Sequence, residues 1–178
     1  MSITDSKTFK RLQEYKVDFA YSKNIFYSAV SRLEKEQNRY LKWKKIIDVA
    51  ILIFSLASFS SAIHPDIPNF VLGIFAFFAF GLSVFQFINF KDFSQIKDYK
   101  NTADNYLILY KSCKNIITKA EDNILDKNKL SEEMDKLLNT QSELVKVSPK
   151  TEYSDYLEAK KEIKEGNSGY TEEEIKNT

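Results

Sequence analysis

Ile46-Ile47-Asp48-Val49-Ala50-Ile51-Leu52-Ile53-Phe54-Ser55-Leu56-Ala57-Ser58-Phe59-Ser60-Ser61-Ala62-Ile63 is followed by His64-Pro65-Asp66-Ile67-Pro68-Asn69, and then by an apolar run from Phe70 to Phe90. The first run holds 18 residues with one charge, the second 21 with none. At about 1.5 Å rise per residue they reach roughly 27 and 31 Å as helices, close to a bilayer core of about 30 Å. Neither proline in the short polar link can continue a helix, so the link forces a tight turn. The stretch predicts a transmembrane hairpin: helix 46–63, an extracytoplasmic turn 64–69 and helix 70–90. The other reading, a hairpin buried in a soluble core, would need far more apolar surface than the rest of a 178-residue chain offers.

Charge gives the orientation. Arg32, Lys35, Arg39, Lys42, Lys44 and Lys45 precede the first run, and Lys91, Lys97 and Lys100 follow the second. The link has no Lys or Arg, so the positive-inside rule puts both termini in the cytoplasm. Tyr40, Trp43 and the neighbouring lysines suit the headgroup zone. The charged first 45 residues lead us to expect no cleavable signal peptide, with the first span directing insertion.

Whole-chain averages conceal this division. A mean hydropathy of -0.37 joins a very apolar centre to polar arms. The net charge of +1 gives no reason to expect direct nucleic-acid binding. A single cysteine excludes an intramolecular disulfide.

The arms read as helices. No proline or glycine lies between Ser2 and His64, or between Leu82 and Ser148, so each span can continue into a longer helix. In the N-terminal arm, 1–45, Leu12, Phe19, Phe26, Leu33 and Tyr40 recur every seven residues, widened by Tyr15, Ala29 and Trp43. Lys7, Lys10, Arg11, Glu14, Lys23, Arg32 and Glu34 take the other faces. After the second span, Ile96, Tyr99, Ala103, Tyr106, Tyr110, Cys113, Ile117, Ala120 and Ile124 alternate steps of three and four. This is a coiled-coil-like seam along a helix expected over 91–125. Residues 126–129 read as a break. Helix 129–147 follows, with Leu130, Met134, Leu137 and Leu144, and ends at Ser148-Pro149. A short helix, 152–165, precedes a mobile acidic tail, 166–178, in which Thr171 heads a possible final cap.

No constellation for catalysis emerges, nor for a cofactor or a metal. His64, the only histidine, sits on the turn with Asp66 as its one nearby acid, and Cys113 lies on an apolar seam. The informative polar residues lie in the spans. Asp48, Ser55, Ser58 and Ala62 share one stripe of the first, with Ile51; Ala76, Ser83 and Gln86 share one of the second, with Ala79. Small residues let helices approach closely in lipid, so the stripes fit helix contacts. The alternative is the wall of a water-filled conduit, once several hairpins assemble. Asp48 is near the span's end, where Lys44 or Lys45 can pair with it. One hairpin cannot enclose a conduit, so conduction requires a homo-oligomer, with Ile96, Tyr99, Ala103, Tyr106, Tyr110, Ile117 and Ile124 as the candidate oligomerisation seam.

The layout resembles a known family. An amphipathic, tyrosine-containing helix enters a close-coupled hairpin, then comes a long helix with Phe93, Tyr99, Ala103, Tyr106 and Leu107, then Ser148-Pro149-Lys150-Thr151-Glu152-Tyr153-Ser154-Asp155-Tyr156. This is similar to the SLATT domain, the two-transmembrane effector class found with SMODS and SLOG partners in bacterial conflict systems. The resemblance implies a pore-forming antiviral effector that permeabilises the inner membrane and causes abortive infection. It also implies a separate sensor, such as a reverse transcriptase or nucleotidyltransferase system, because the chain looks like the stand-alone members. It carries over no binding or catalytic residues. The expectation is an all-α membrane protein whose hairpin extends through long helices into a cytoplasmic bundle. A non-conducting scaffold that recruits a cytoplasmic partner through its helical arms is the alternative.

Overall fold

The computed structural model describes residues 4, 6–63 and 68–165, except for the side chains of 61–63 and 69. The expected turn and acidic tail, with its cap at Thr171, lie wholly or mostly outside the described residues. Five helices and no strand occur among them: α1 (Lys7–Ile63), α2 (Asn69–Ile88), α3 (Ile96–Glu121), α4 (Lys127–Val147) and α5 (Tyr153–Lys164). The chain divides into two compact units, residues 1–33 with 94–178, and residues 34–93.

α1 runs unbroken for 57 residues, roughly 85 Å. Its first turn is capped by Ser6, whose hydroxyl accepts from the Phe9 amide at 3.1 Å. α2 does not continue into α3, contrary to the expectation from the missing proline and glycine. Asn89 ends it: both its backbone amide and its side-chain amide donate to the Phe85 carbonyl, at 3.0 and 2.8 Å. A short polar side chain here offers the terminal carbonyls a partner that a further helical turn would otherwise supply.

α3 likewise stops short of Ile124. Asn123 takes a left-handed backbone, φ 55°, and Ile124 donates back to the Lys119 carbonyl at 2.9 Å while Asn123 donates to Ala120 at 3.2 Å. These nested bonds are a Schellman stop, and Asn tolerates the left-handed position better than most residues. Asp126 then caps α4 through the Lys129 amide, 2.8 Å, so the break falls earlier than residues 126–129. α4 ends at Ser148, extended ahead of Pro149. α5 opens on a capping box between Glu152 and Asp155.

The larger unit is a four-helix bundle built from the first half of α1 with α3, α4 and α5. Leu12, Phe19, Phe26 and Leu33 of α1 face Tyr99, Ala103, Tyr106 and Cys113 of α3, while α4 adds Leu130, Leu137 and Leu144 and α5 adds Ile163. α1 and α3 run antiparallel: Phe26 stacks on Tyr106 with ring centres 5.6 Å apart and tilts against Tyr99 at 6.3 Å, and Cys113 donates to the Leu12 carbonyl at 3.2 Å. The seam of α3 is therefore filled by its own chain. Tyr99, Ala103, Tyr106, Tyr110 and Ile117 are buried in this core, Ile96 is half-buried, and Ile124 lies beyond the helix, 65% exposed. The five buried residues are spent on the chain's own bundle, where the heptad pattern finds its partners.

Candidate functional site

The smaller unit is a helical hairpin. The second half of α1 and α2 lie antiparallel, fastened at several heights. Lys91 pairs with Glu36 at 2.6 Å, and Tyr40 meets the Phe93 ring at 5.7 Å. Gln86 donates to Asp48 at 2.7 Å, Phe54 stacks on Phe78 at 5.6 Å and Phe75 at 6.2 Å, and the Ser58 hydroxyl donates to the Leu72 carbonyl at 3.4 Å. Half-buried residues of the hairpin include Ile47, Ala50, Ile51, Phe54, Ala57 and Ser58 on α1, and Val71, Leu72, Phe75, Ala79, Leu82 and Gln86 on α2.

Most of the hairpin's remaining surface is apolar and exposed. Phe70–Ile88 has a mean hydropathy of 2.2 with none of it buried, and is long and apolar enough to cross a membrane. On α1, Ile46, Val49, Leu52, Ile53, Leu56 and Phe59 are exposed too, and Trp43 is 67% exposed. Monomeric soluble proteins rarely leave a contiguous apolar surface of this kind in water, and such surfaces mark protein or membrane contacts.

The hairpin has two unlike faces. At about 100° per residue, Asp48 and Ser55 project roughly 80° or more to one side of the direction that Phe54 and Ile47 take toward α2. Ala76 and Ser83 project roughly 80° to one side of Phe75 and Leu82. Both helices are right-handed and they run antiparallel, so the two offsets fall on the same side. That side carries the small and polar residues Asp48, Ser55, Ala76 and Ser83, interleaved with exposed Leu52, Phe59, Phe80 and Phe87; the opposite side carries Ile46, Val49, Ile53, Ile74 and Phe78. Ser58 and Gln86 sit in the contact between the helices, and the side chain of Ala62 lies outside the described residues. Ser83 returns its hydroxyl to the Ala79 carbonyl at 2.9 Å, which satisfies it in an apolar setting.

Asp48 is the one acidic group of the apolar run. One oxygen accepts from Gln86 Nε2 at 2.7 Å and the other from Lys44 Nζ at 3.1 Å. The lysine partner was expected; the interhelical glutamine was not. Both residues lie on the polar stripes, but which height of α2 faces Asp48 depends on the turn between the helices.

The bundle holds charge that the heptad pattern hid. Lys23 belongs to the core, not to a solvated face, and Lys16, 2% exposed, is buried as well, as are Asn24 and Ser28. Burial pushes both ammonium groups below the usual lysine range. Arg32 turns inward as well. It donates to the Asp155 carboxylate at 2.8 and 3.2 Å and pairs with Glu152 at 2.9 Å, while the Asp155 side chain is 1% exposed. Tyr27 donates to Asp104 at 2.5 Å; burial and that bond push its phenol up to about 12. Burial pushes the Cys113 thiol up to about 12, so it is no nucleophile while the bundle is closed. Among the described residues no group of three or more His, Cys, Asp or Glu side chains is arranged to hold a metal.

Among the described residues the architecture is all-helical, with one helix long and apolar enough to cross a membrane. The family model described as "SMODS and SLOG-associating 2TM effector domain family 4" matches residues 11–174. The chain belongs to that family, the SLATT domains, and is thus a membrane effector domain of bacterial conflict systems. No curated protein and no solved structure matches it.

Proposed function

We propose that both arms of the hairpin span the bacterial inner membrane, with both termini cytoplasmic. Several copies assemble there into a pore that permeabilises the membrane and ends infection by disabling the cell. The observation that carries this reading is the two-faced hairpin. The side with Asp48, Ser55, Ala76 and Ser83 suits a water-facing wall, and the side with Ile46, Ile53, Ile74 and Phe78 suits lipid. Because the heptad seam of α3 is spent inside the bundle, assembly falls to the exposed hairpin surfaces. The trigger is a separate sensor acting on the bundle, and no chemistry is assigned to the chain itself.

The test is accessibility in the membrane. In a Cys113→Ala background, Ser55→Cys and Ser83→Cys should react with a membrane-impermeant thiol reagent once the effector is active, whereas Ile53→Cys and Phe78→Cys should not. Equal silence at all four positions would overturn the pore. It would favour the scaffold reading, for which one observation speaks. Between α3 and α4 the bundle carries a groove of about 380 Å³, edged by exposed Ile108 and Val147, on which a cytoplasmic partner could dock.

A further inference from the structure

At the Tyr40 end of the hairpin, the two helices leave a cleft of about 470 Å³. This lies within the roughly 300–1,000 Å³ usual for ligand pockets. Its walls are apolar, formed by Trp43 and Ile47 of α1 and Leu82 and Phe85 of α2; Lys44 and Lys91 stand at its rim. We propose that this cleft binds an anionic phospholipid, one acyl chain between the helices and the headgroup phosphate against the lysines that line its polar end. The proposal rests on the reading of the hairpin as membrane-embedded.

Three features select that occupant. The first is charge. Each rim lysine already donates to one carboxylate, Lys44 to Asp48 at 3.1 Å and Lys91 to Glu36 at 2.6 Å. An ammonium has three donors, so each has capacity for an anionic oxygen as well. Arg39, Lys42 and Lys45 add to the positive field at the same height, where the headgroups of an anionic leaflet would lie. The second is an unmet polar group: the Tyr40 hydroxyl, beside the cleft, is buried with no hydrogen-bond partner. A buried hydroxyl without a partner is costly, and a phosphate or ester oxygen would accept its proton. The third is the order of the lining. Cationic and phenolic groups sit at the polar end of an apolar run and the hydrocarbon walls follow, as headgroup and acyl chain do in a lipid.

Trp43 lines the cleft and is the only tryptophan, so the chain carries its own reporter. The full chain would be reconstituted in phosphatidylcholine vesicles containing either phosphatidylglycerol or phosphatidylcholine brominated high on one acyl chain. Quenching of Trp43 gives the relative affinity. The expected result is stronger quenching by the anionic lipid at equal mole fraction, a preference of about five-fold per ammonium group. Lys44→Gln/Lys91→Gln should reduce it by about 25-fold, and Lys44→Arg/Lys91→Arg should retain most of it. Lys42→Gln/Lys45→Gln removes the same charge off the cleft and should leave the preference largely intact.

Equal quenching by both lipids would overturn the proposal. So would an equal loss in the two Gln double variants, which would mean diffuse surface attraction. Absence of quenching by either lipid, with Trp43→Cys crosslinking between copies in a Cys113→Ala background, would assign the cleft to a second copy. A chain that fails to float with the vesicles at all would refute the membrane reading, and the cleft proposal with it.

Discussion

Replacing Arg32 with alanine should loosen the bundle, and the chain's single cysteine can report by how much. Arg32 holds the Asp155 carboxylate through two bonds, at 2.8 and 3.2 Å, and the only other bond to that carboxylate in the capping box comes from the Glu152 amide at 2.9 Å. Removing one partner of a buried pair costs about 3–5 kcal/mol, because the remaining charge is stranded. Arg32 itself is 28% exposed, so water can reach the vacated space, and about 2–3 kcal/mol is the better expectation. Cys113, fully buried between α1 and α3, reacts with a thiol reagent only when that interface opens. With reclosing faster than reaction, its rate follows the opening equilibrium. Arg32→Ala should therefore speed modification about 30- to 150-fold, at about 1.36 kcal/mol per decade. Arg32→Lys, which keeps the charge and loses the fork, should fall between. Lys146→Ala, which breaks only an exposed pair with Glu143, should stay within about two-fold of wild type. An Arg32→Ala rate within two-fold of wild type would refute the reasoning.

Alkali should destabilise the bundle. Cys113 and Tyr27 hold their protons to about 12 when folded, above their ordinary 9.0 and 10.0. The stability they contribute is whole below those ordinary values and is lost as pH rises toward 12, so denaturant midpoints should fall above about pH 9. Cys113→Ala should flatten the first part of that fall. Lys16→Met should stabilise the protein at neutral pH, by about 1–2 kcal/mol, because the wild type buries a charge there. Since the folded value of Lys16 is lowered, wild type regains that stability as pH rises toward 10.5, and the difference in melting temperature should shrink accordingly. Gln86→Leu removes the interhelical partner of Asp48; if that pair fixes the register at the hairpin's polar end, crosslinking between cysteines placed at positions 47 and 82 should weaken in a Cys113→Ala background.

What the sequence revealed and what it hid divide along physical lines. A run without proline or glycine from Ser6 onward told of one long helix, and the seven-residue spacing located Leu12, Phe19, Phe26 and Leu33. The same spacing could not say what fills a seam: α3 displays Tyr99, Ala103 and Tyr106 identically whether the partner is α1 or another copy. The break at Asn89 escaped notice and the one at Asn123 was placed a few residues late, because asparagine side-chain bonds and a left-handed residue make them, without proline or glycine. Lys23 and Arg32 were misjudged, since charges on a helix usually mark its wet side. Arg32 and Asp155 are 123 residues apart, beyond any local pattern. In the hairpin the polar stripes were legible from helical periodicity, whereas the Asp48–Gln86 pair depends on register across the turn.

The most direct test of the central claim is the membrane potential of bacteria expressing the chain with its neighbouring genes during phage challenge. Wild type would be compared with Ser55→Leu/Ser83→Leu at matched membrane abundance. The account predicts rapid depolarisation by the wild type and its loss in the variant, whose bulky side chains would close the polar face. A potential that holds steady in infected wild-type cells would contradict it.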